Sequence, residues 1–297
     1  MHEDNSMPPR TDPLRIAISV GVYAFTYWAT QITFYWVLSA AGAFGSTTLT
    51  TLAAALFANW LALRVYEDRP LWTIGLLGSV QSVRNAALGI AGGIGSACLV
   101  LGPPLATGLA HEVRTASGPS PGTIPFTLVL LAAGSMGEEM LFHGYAFQIL
   151  LGPLGRYATV FLVGAVFALM HGANPNATWF GLANTAGFGV LFGYAFLRSR
   201  DLWLPIGLHF GWNFTLPLFG VNLSGLRMNV TGHEMSWTAG ALWSGGAYGP
   251  EASLLATAVL GALFVYVQKA PVRRQVSALT DPPVQTVVCE PPPSSLS

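Results

Sequence analysis

Eight long apolar runs, at about 16–40, 48–64, 86–110, 123–150, 157–173, 177–197, 202–219 and 250–268, divide the sequence, with short polar stretches between them. Each is close to the roughly 20 residues that a membrane-spanning helix needs. Hydrophobic residues make up 52% of the chain and charged residues only 9%, against about a quarter charged in soluble domains, which excludes an ordinary soluble globule. The pattern predicts an all-α fold: a polytopic membrane helical bundle of about eight transmembrane helices. Its first partner is then the lipid bilayer, and its place an integral, multi-pass position in a plasma membrane of bacterial type.

With 13 Lys and Arg against 13 Asp and Glu the formal net charge is zero, so no basic patch points to a nucleic-acid partner. Cys98 and Cys289 support neither a disulfide framework nor a cysteine zinc knot. The first apolar run is too long for a signal-peptide core and reads as a retained helix. If all eight runs cross, eleven basic residues, among them Arg15, Arg64, Arg156, Arg198, Arg200 and Arg274, fall on one side and only Arg114 and Arg227 on the other. That bias predicts both termini cytoplasmic. Gly102-Pro103-Pro104 should break or kink the third run. Residues 1–13 read as a disordered N-terminal tail, 14–270 as one transmembrane helical domain, and the Pro-rich stretch 271–297 as a disordered C-terminal tail.

Two acidic residues stand apart. Glu138 and Glu139 lie in the middle of the fourth run, whereas the other eleven, Glu251 among them, fall in tails, loops or helix ends. Two ionised carboxylates near the bilayer centre cost together about 5–7 kcal/mol, at about 2.5–3.5 each on insertion scales. Three histidines, His143, His171 and His209, also fall within apolar segments, and no Lys or Arg lies deep in any of them. Glu139 and His143 are four apart and share a helix face. Glu138 points about 100° away around the helix, so the two carboxylates should do different jobs. His209 and Asn213 are also four apart, and together can offer two donors to one oxygen. Gly89 and Gly93, Gly189 and Gly193, and Gly207 and Gly211 repeat a GxxxG spacing that predicts close helix packing.

These residues resemble the CPBP family of intramembrane proteases, the CAAX proteases and bacteriocin-processing enzymes, whose three signatures are EExxxR, FxxxH and HxxxN or HxxxD on successive helices. Here they read Glu138-Glu139-Met-Leu-Phe-His143, Phe167-Ala-Leu-Met-His171 and His209-Phe-Gly-Trp-Asn213. The resemblance covers about 123–220, the expected catalytic core. One position departs from the pattern: His143 stands where the family has Arg, and a neutral imidazole can donate a hydrogen bond to Glu139 but supplies no permanent charge.

The resemblance implies hydrolysis of a peptide bond in a membrane-associated peptide or protein substrate, of CAAX type or another kind. Glu138 would be general base on a water, helped by His171, with His209 and Asn213 stabilising the oxyanion. Glu139 and His143 would be supporting. Zinc is an alternative cofactor, since Glu138, His171 and His209 can form a metalloprotease site with water as fourth ligand, although there is no HExxH helix. Two rival functions compete: a proton or cation transporter using the embedded Glu and His, and a catalytically impaired family member acting as an immunity or scaffold protein.

Overall fold

The computed structural model describes residues 12–38, 42–115, 118 and 122–281. In chain order the helices are α1 (Pro13–Val37), α2 (Gly42–Ala62), α3 (Val80–Thr107), α4 (Thr123–His143), α5 (Tyr145–His171), α6 (Trp179–Ser199), α7 (Trp203–Leu218), the single turn α8 (Ala241–Ser244) and α9 (Leu254–Lys269). Two short strands, β1 (Ala110–Arg114) and β2 (His233–Trp237), pair antiparallel, with Glu112 opposite Met235. Strand β2 lies in the stretch 220–249, which is rich in Gly, Ser and Asn.

Four helical segments among the described residues are long and apolar enough to cross a membrane: Gly45–Glu67, Val80–Thr107, Thr123–His171 and Trp179–Ser199. This corrects the expectation of about eight crossings, and each discrepancy has a physical cause. The fourth and fifth runs form one near-continuous stretch of 49 residues. Helices α7 and α9 have 16 residues each, about 24 Å at 1.5 Å per residue, short of the roughly 30 Å hydrocarbon core. Helix α1 is long enough but includes Thr26, Thr30, Gln31 and Thr33, and falls short in hydropathy. The predicted cytoplasmic placement of the termini concerns ends that lie outside the described residues. The break predicted at Gly102-Pro103-Pro104 does not occur, because both prolines fall in the last turns of α3 and the helix runs on to Thr107 before Gly108 caps it at φ 74°. Side chains such as Trp28, Phe126, Tyr157, Phe161, Leu169 and Trp179 are exposed, the outward apolar face of a multi-pass integral membrane protein.

The glycine spacings act as packing surfaces. Gly89 and Gly93 of α3 meet Gly207 and Gly211 of α7 directly: a Cβ on Gly93 would lie 2.3 Å from the Leu208 carbonyl oxygen, and one on Gly207 2.4 Å from that of Ala86. His209 is two residues from each α7 glycine, about 200° around the helix. The seam with α3 therefore turns the imidazole toward α4.

Helix α4 ends immediately after His143. Gly144 has φ −75° and ψ −134°, and the backbone groups freed by the break are satisfied from other helices. The Asn59 amide donates to the Met140 carbonyl (3.0 Å) and accepts from the Tyr145 N–H (2.8 Å), while the Tyr23 hydroxyl donates to the Leu141 carbonyl (2.9 Å). A Cβ at position 144 would sit 2.4 Å from the Asn59 carboxamide oxygen, so only glycine lets this contact form. At the same end of the bundle, Asp201 accepts from Asn85 (2.7 Å) and Gln275 (2.6 Å). Of the stretch 271–297 expected to be disordered, 271–281 is hydrogen-bonded onto α3 and the α6–α7 turn, and 282–297 lies outside the described residues.

Because the α3–α7 seam has no room for a methyl group, Gly93→Ala is expected to cost about 1–3 kcal/mol. A lowered thermal midpoint in detergent, relative to Gly95→Ala at an open position, checks this.

Candidate active site

The two adjacent glutamates separate as the helical geometry requires. Glu139 is completely buried, its Oε2 2.7 Å from His143 Nδ1 and its Oε1 2.8 Å from His209 Nδ1. An ionised carboxylate only accepts, so each ring carries its proton on Nδ1. One carboxylate thereby joins α4 to α7 and fixes the orientation of both imidazoles. His143, in the position where the signature has Arg, keeps the contact to Glu139 with a single hydrogen bond. Its other nitrogen, Nε2, is buried with no hydrogen-bond partner among the described residues and faces Gly193 of α6.

Glu138 projects to a different face, with its side chain 30% exposed. Its Oε2 makes no hydrogen bond among the described residues. It lies 3.8 Å from His171 Nε2 and 3.9 Å from His209 Nε2. His171 ends α5 and donates from Nδ1 to the Phe167 carbonyl (2.8 Å), which leaves the Nε2 lone pair directed at the carboxylate. The Phe167 ring packs on His171 (4.5 Å between centroids) and edge-on to His209 (6.0 Å), and Phe192 stacks on His209 at 4.8 Å with planes 13° apart. These contacts limit the freedom of the rings. Distances near 4 Å are too long for direct hydrogen bonds and suit a single bridging oxygen.

Glu138, His171, His209 and Asn213 all line one cavity of about 550 Å³. Leu131, Leu141, Phe142, Phe188 and Trp212 supply apolar walls, and Tyr27, Thr48 and Thr51 contribute hydroxyls. The cavity also contains Glu251, which its position just ahead of α9 does not announce. Glu251 is buried and accepts from the Ser224 hydroxyl (3.0 Å), the Trp212 indole (3.4 Å) and, in a short contact, the Ser224 backbone N–H. Burial raises its pKa above the ordinary carboxylate range, although the bonds from Ser224 oppose the shift. The Gly249-Pro250 step before it marks a turn and suggests a surface residue; only the chain path brings it beside α7.

A zinc ion with ligands at about 2.0–2.1 Å sets tetrahedral donors roughly 3.3 Å apart. The Glu138, His171 and His209 donors are spread wider than that, and among the described residues no group of three or more His, Cys, Asp or Glu is disposed to hold a metal ion. The zinc alternative therefore has no fitted ligand set in this arrangement.

Compared with known families, residues 120–215 match the one described as type II CAAX prenyl endopeptidase Rce1-like. Over this segment, about a third of the chain, the sequence is similar to that family. No curated protein matches the chain. The matched segment contains Glu138, Glu139, His143, His171, His209 and Asn213, while Tyr27, Thr51, Ser224 and Glu251, which complete the cavity wall, lie outside it.

The two glutamates predict opposite phenotypes in stability. Glu139→Leu leaves two buried N–H groups without an acceptor, at about 1–3 kcal/mol each, and is expected to lower the unfolding midpoint sharply. Glu138→Gln, which breaks no hydrogen bond, should change stability by less than about 1 kcal/mol; denaturant titration in micelles compares them. Glu251 predicts a pH effect. Its raised pKa means that its neutral form favours the fold, so this contribution is fully present below the ordinary Glu value and is lost as pH rises through the raised one. Thermal midpoints measured across acid to neutral pH should fall along that range in the native chain, and less so in Glu251→Gln.

Proposed function

We propose that the protein is an intramembrane endopeptidase in which Glu138 activates a water to hydrolyse a peptide bond of a membrane-associated substrate, a CAAX-type terminus or another peptide. The observation that carries the reading is the Glu138 Oε2, without a hydrogen-bond partner among the described residues and nearly equidistant from the Nε2 atoms of His171 and His209 in a partly apolar cavity. A water between them would lose a proton to the Glu138 carboxylate, with the His171 lone pair holding its second hydrogen.

The hydroxide adds to the scissile carbonyl, and the oxyanion faces His209 and Asn213. For His209 to donate from Nε2 it must carry both protons, and the buried Glu139 carboxylate on Nδ1 is the group that stabilises that imidazolium. Glu139 thus orients His209 while standing away from the water. As the tetrahedral intermediate collapses, the proton held by Glu138 passes to the departing amine and the carboxylate is restored. The apolar walls strengthen each of these electrostatic interactions by keeping bulk water out.

The impaired-scaffold alternative draws its force from the absent arginine, and the 2.7 Å contact from His143 to Glu139 supplies the bond that the substitution puts in question. A transport role has no supporting observation beyond the embedded charges.

Glu138→Gln is expected to abolish cleavage of a membrane-anchored peptide in proteoliposomes while leaving the fold intact. His209→Ala and Asn213→Ala should each slow kcat by about 10²–10³. Full cleavage by the Glu138 variant would refute the assignment, and a Glu138-dependent proton flux without cleavage would replace it with transport.

A further inference from the structure

A second cavity, of about 820 Å³, opens on the outside of the bundle between α5, α6 and α9. It is distinct from the first: Thr185, Phe188 and Phe192 of α6 line the candidate active site, whereas Val190, Tyr194, Leu197 and Arg198, different side chains that extend toward the C-terminal end of that helix, line this one. Its volume falls within the range of ligand-binding cavities. Four arginines, Arg156, Arg198, Arg200 and Arg274, reach its wall.

Their existing partners do not balance them. Arg198 donates to the Gln268 carbonyl at the end of α9 (2.9 Å) and Arg156 lies over the Tyr157 ring at 4.7 Å. Arg200 donates to the Thr280 hydroxyl (3.1 Å), and its Nε is buried without a hydrogen-bond acceptor among the described residues. The carboxylate of Asp281, 3.2 Å from Arg274 and 3.8 Å from Arg200, is the one acidic group paired with these arginines among the described residues. Arg200 also feels Arg274 as a like charge, which adds to burial in lowering its pKa. Below the arginines the wall is hydrocarbon, from Ile149, Val160, Phe161, Val190, Leu197 and Phe264. Tyr157 and Phe161 at its mouth are 68% and 63% exposed, so the cavity opens on the apolar flank of a membrane protein.

We propose that this cavity binds an anionic glycerophospholipid, with the phosphate among Arg156, Arg200 and Arg274 and an acyl chain along α5 and α6. The two halves select an amphiphile. Cations at the end of a membrane bundle attract an anionic headgroup, guanidinium forks match phosphate oxygens, and the apolar wall gives the tail a place that a soluble anion would leave empty. The inference is independent of the proposed hydrolysis, since neither cavity shares a side chain with the other.

The test is native mass spectrometry of the full chain in neutral detergent, titrated with phosphatidylglycerol or phosphatidylcholine. Phosphatidylglycerol should bind at least about tenfold more tightly, in line with favourable pairing of more than one arginine. Arg156→Ala with Arg274→Ala, both exposed positions, should weaken it on the order of 25-fold, and lysine at both positions should restore most of the difference. A shift in thermal midpoint between phosphatidylglycerol and phosphatidylcholine nanodiscs, lost in the double alanine variant, provides a readout that needs no mass spectrometer. Equal binding of the two lipids, or an unchanged titration for the double variant, would overturn the proposal. So would displacement of the lipid by millimolar inorganic phosphate with equal thermal stabilisation, which would make the site one for a free anion.

Discussion

A carboxylate sealed inside a membrane bundle has to be neutralised or hydrogen-bonded on both oxygens, and the architecture around Glu139 satisfies that demand. Leaving either oxygen unpartnered at that depth would cost several kcal/mol. His143 comes from the next turn of the same helix and His209 from α7, so the condition of burial also ties two segments together. With Glu139 committed inward, the neighbouring Glu138 is turned about 100° around the helix toward the cavity. The division of labour between adjacent, chemically identical side chains follows from that rotation and from what each face meets.

The reach of His209 to Glu139 rests in turn on the glycine seam between α3 and α7. Contact of backbone on backbone there brings α7 close and sets its rotation, so that the face carrying His209 and Asn213 opposes α4. Packing without side chains is a common means of bringing membrane helices together, because lipid offers no hydrophobic drive to associate. A further constraint comes from Asn59 and Tyr23, which satisfy the backbone exposed where α4 stops at Gly144. That abrupt end after His143 lets α5 set off in a new direction, and the non-helical Gly155 within α5 (φ 75°, ψ 165°) turns the chain again so that His171 returns to the cavity.

Much of the candidate site is legible as pattern. Glu138, Glu139, His171, His209 and Asn213 stand out because ionisable and amide groups are rare in apolar segments, and their four-residue spacings already state which of them share a face. Glu251 was not legible, because a carboxylate beside a glycine and a proline ahead of a helix looks like a solvated turn; its burial depends on Ser224 and Trp212, which lie 27 and 39 residues away in the chain. The number of crossings differs from the count of apolar runs for a related reason. Hydropathy registers apolar content, but α7 and α9 are too short to span the bilayer, and the fourth and fifth runs join, with only the breaks at Gly144 and Gly155 between them, into one 49-residue apolar segment.

The sequence by itself determined that this is a helical membrane protein, which residues carry embedded charge, and which neighbours in a helix act together, because composition and the 3.6-residue period are local properties. Only the tertiary structure decided that Glu139 pairs with His209 across 70 residues, that Glu251 joins the cavity, and that four arginines gather at one apolar groove. Such contacts depend on how closely and at what rotation helices meet, which is governed by backbone approach and by satisfaction of buried polar groups, neither of which a one-dimensional pattern specifies.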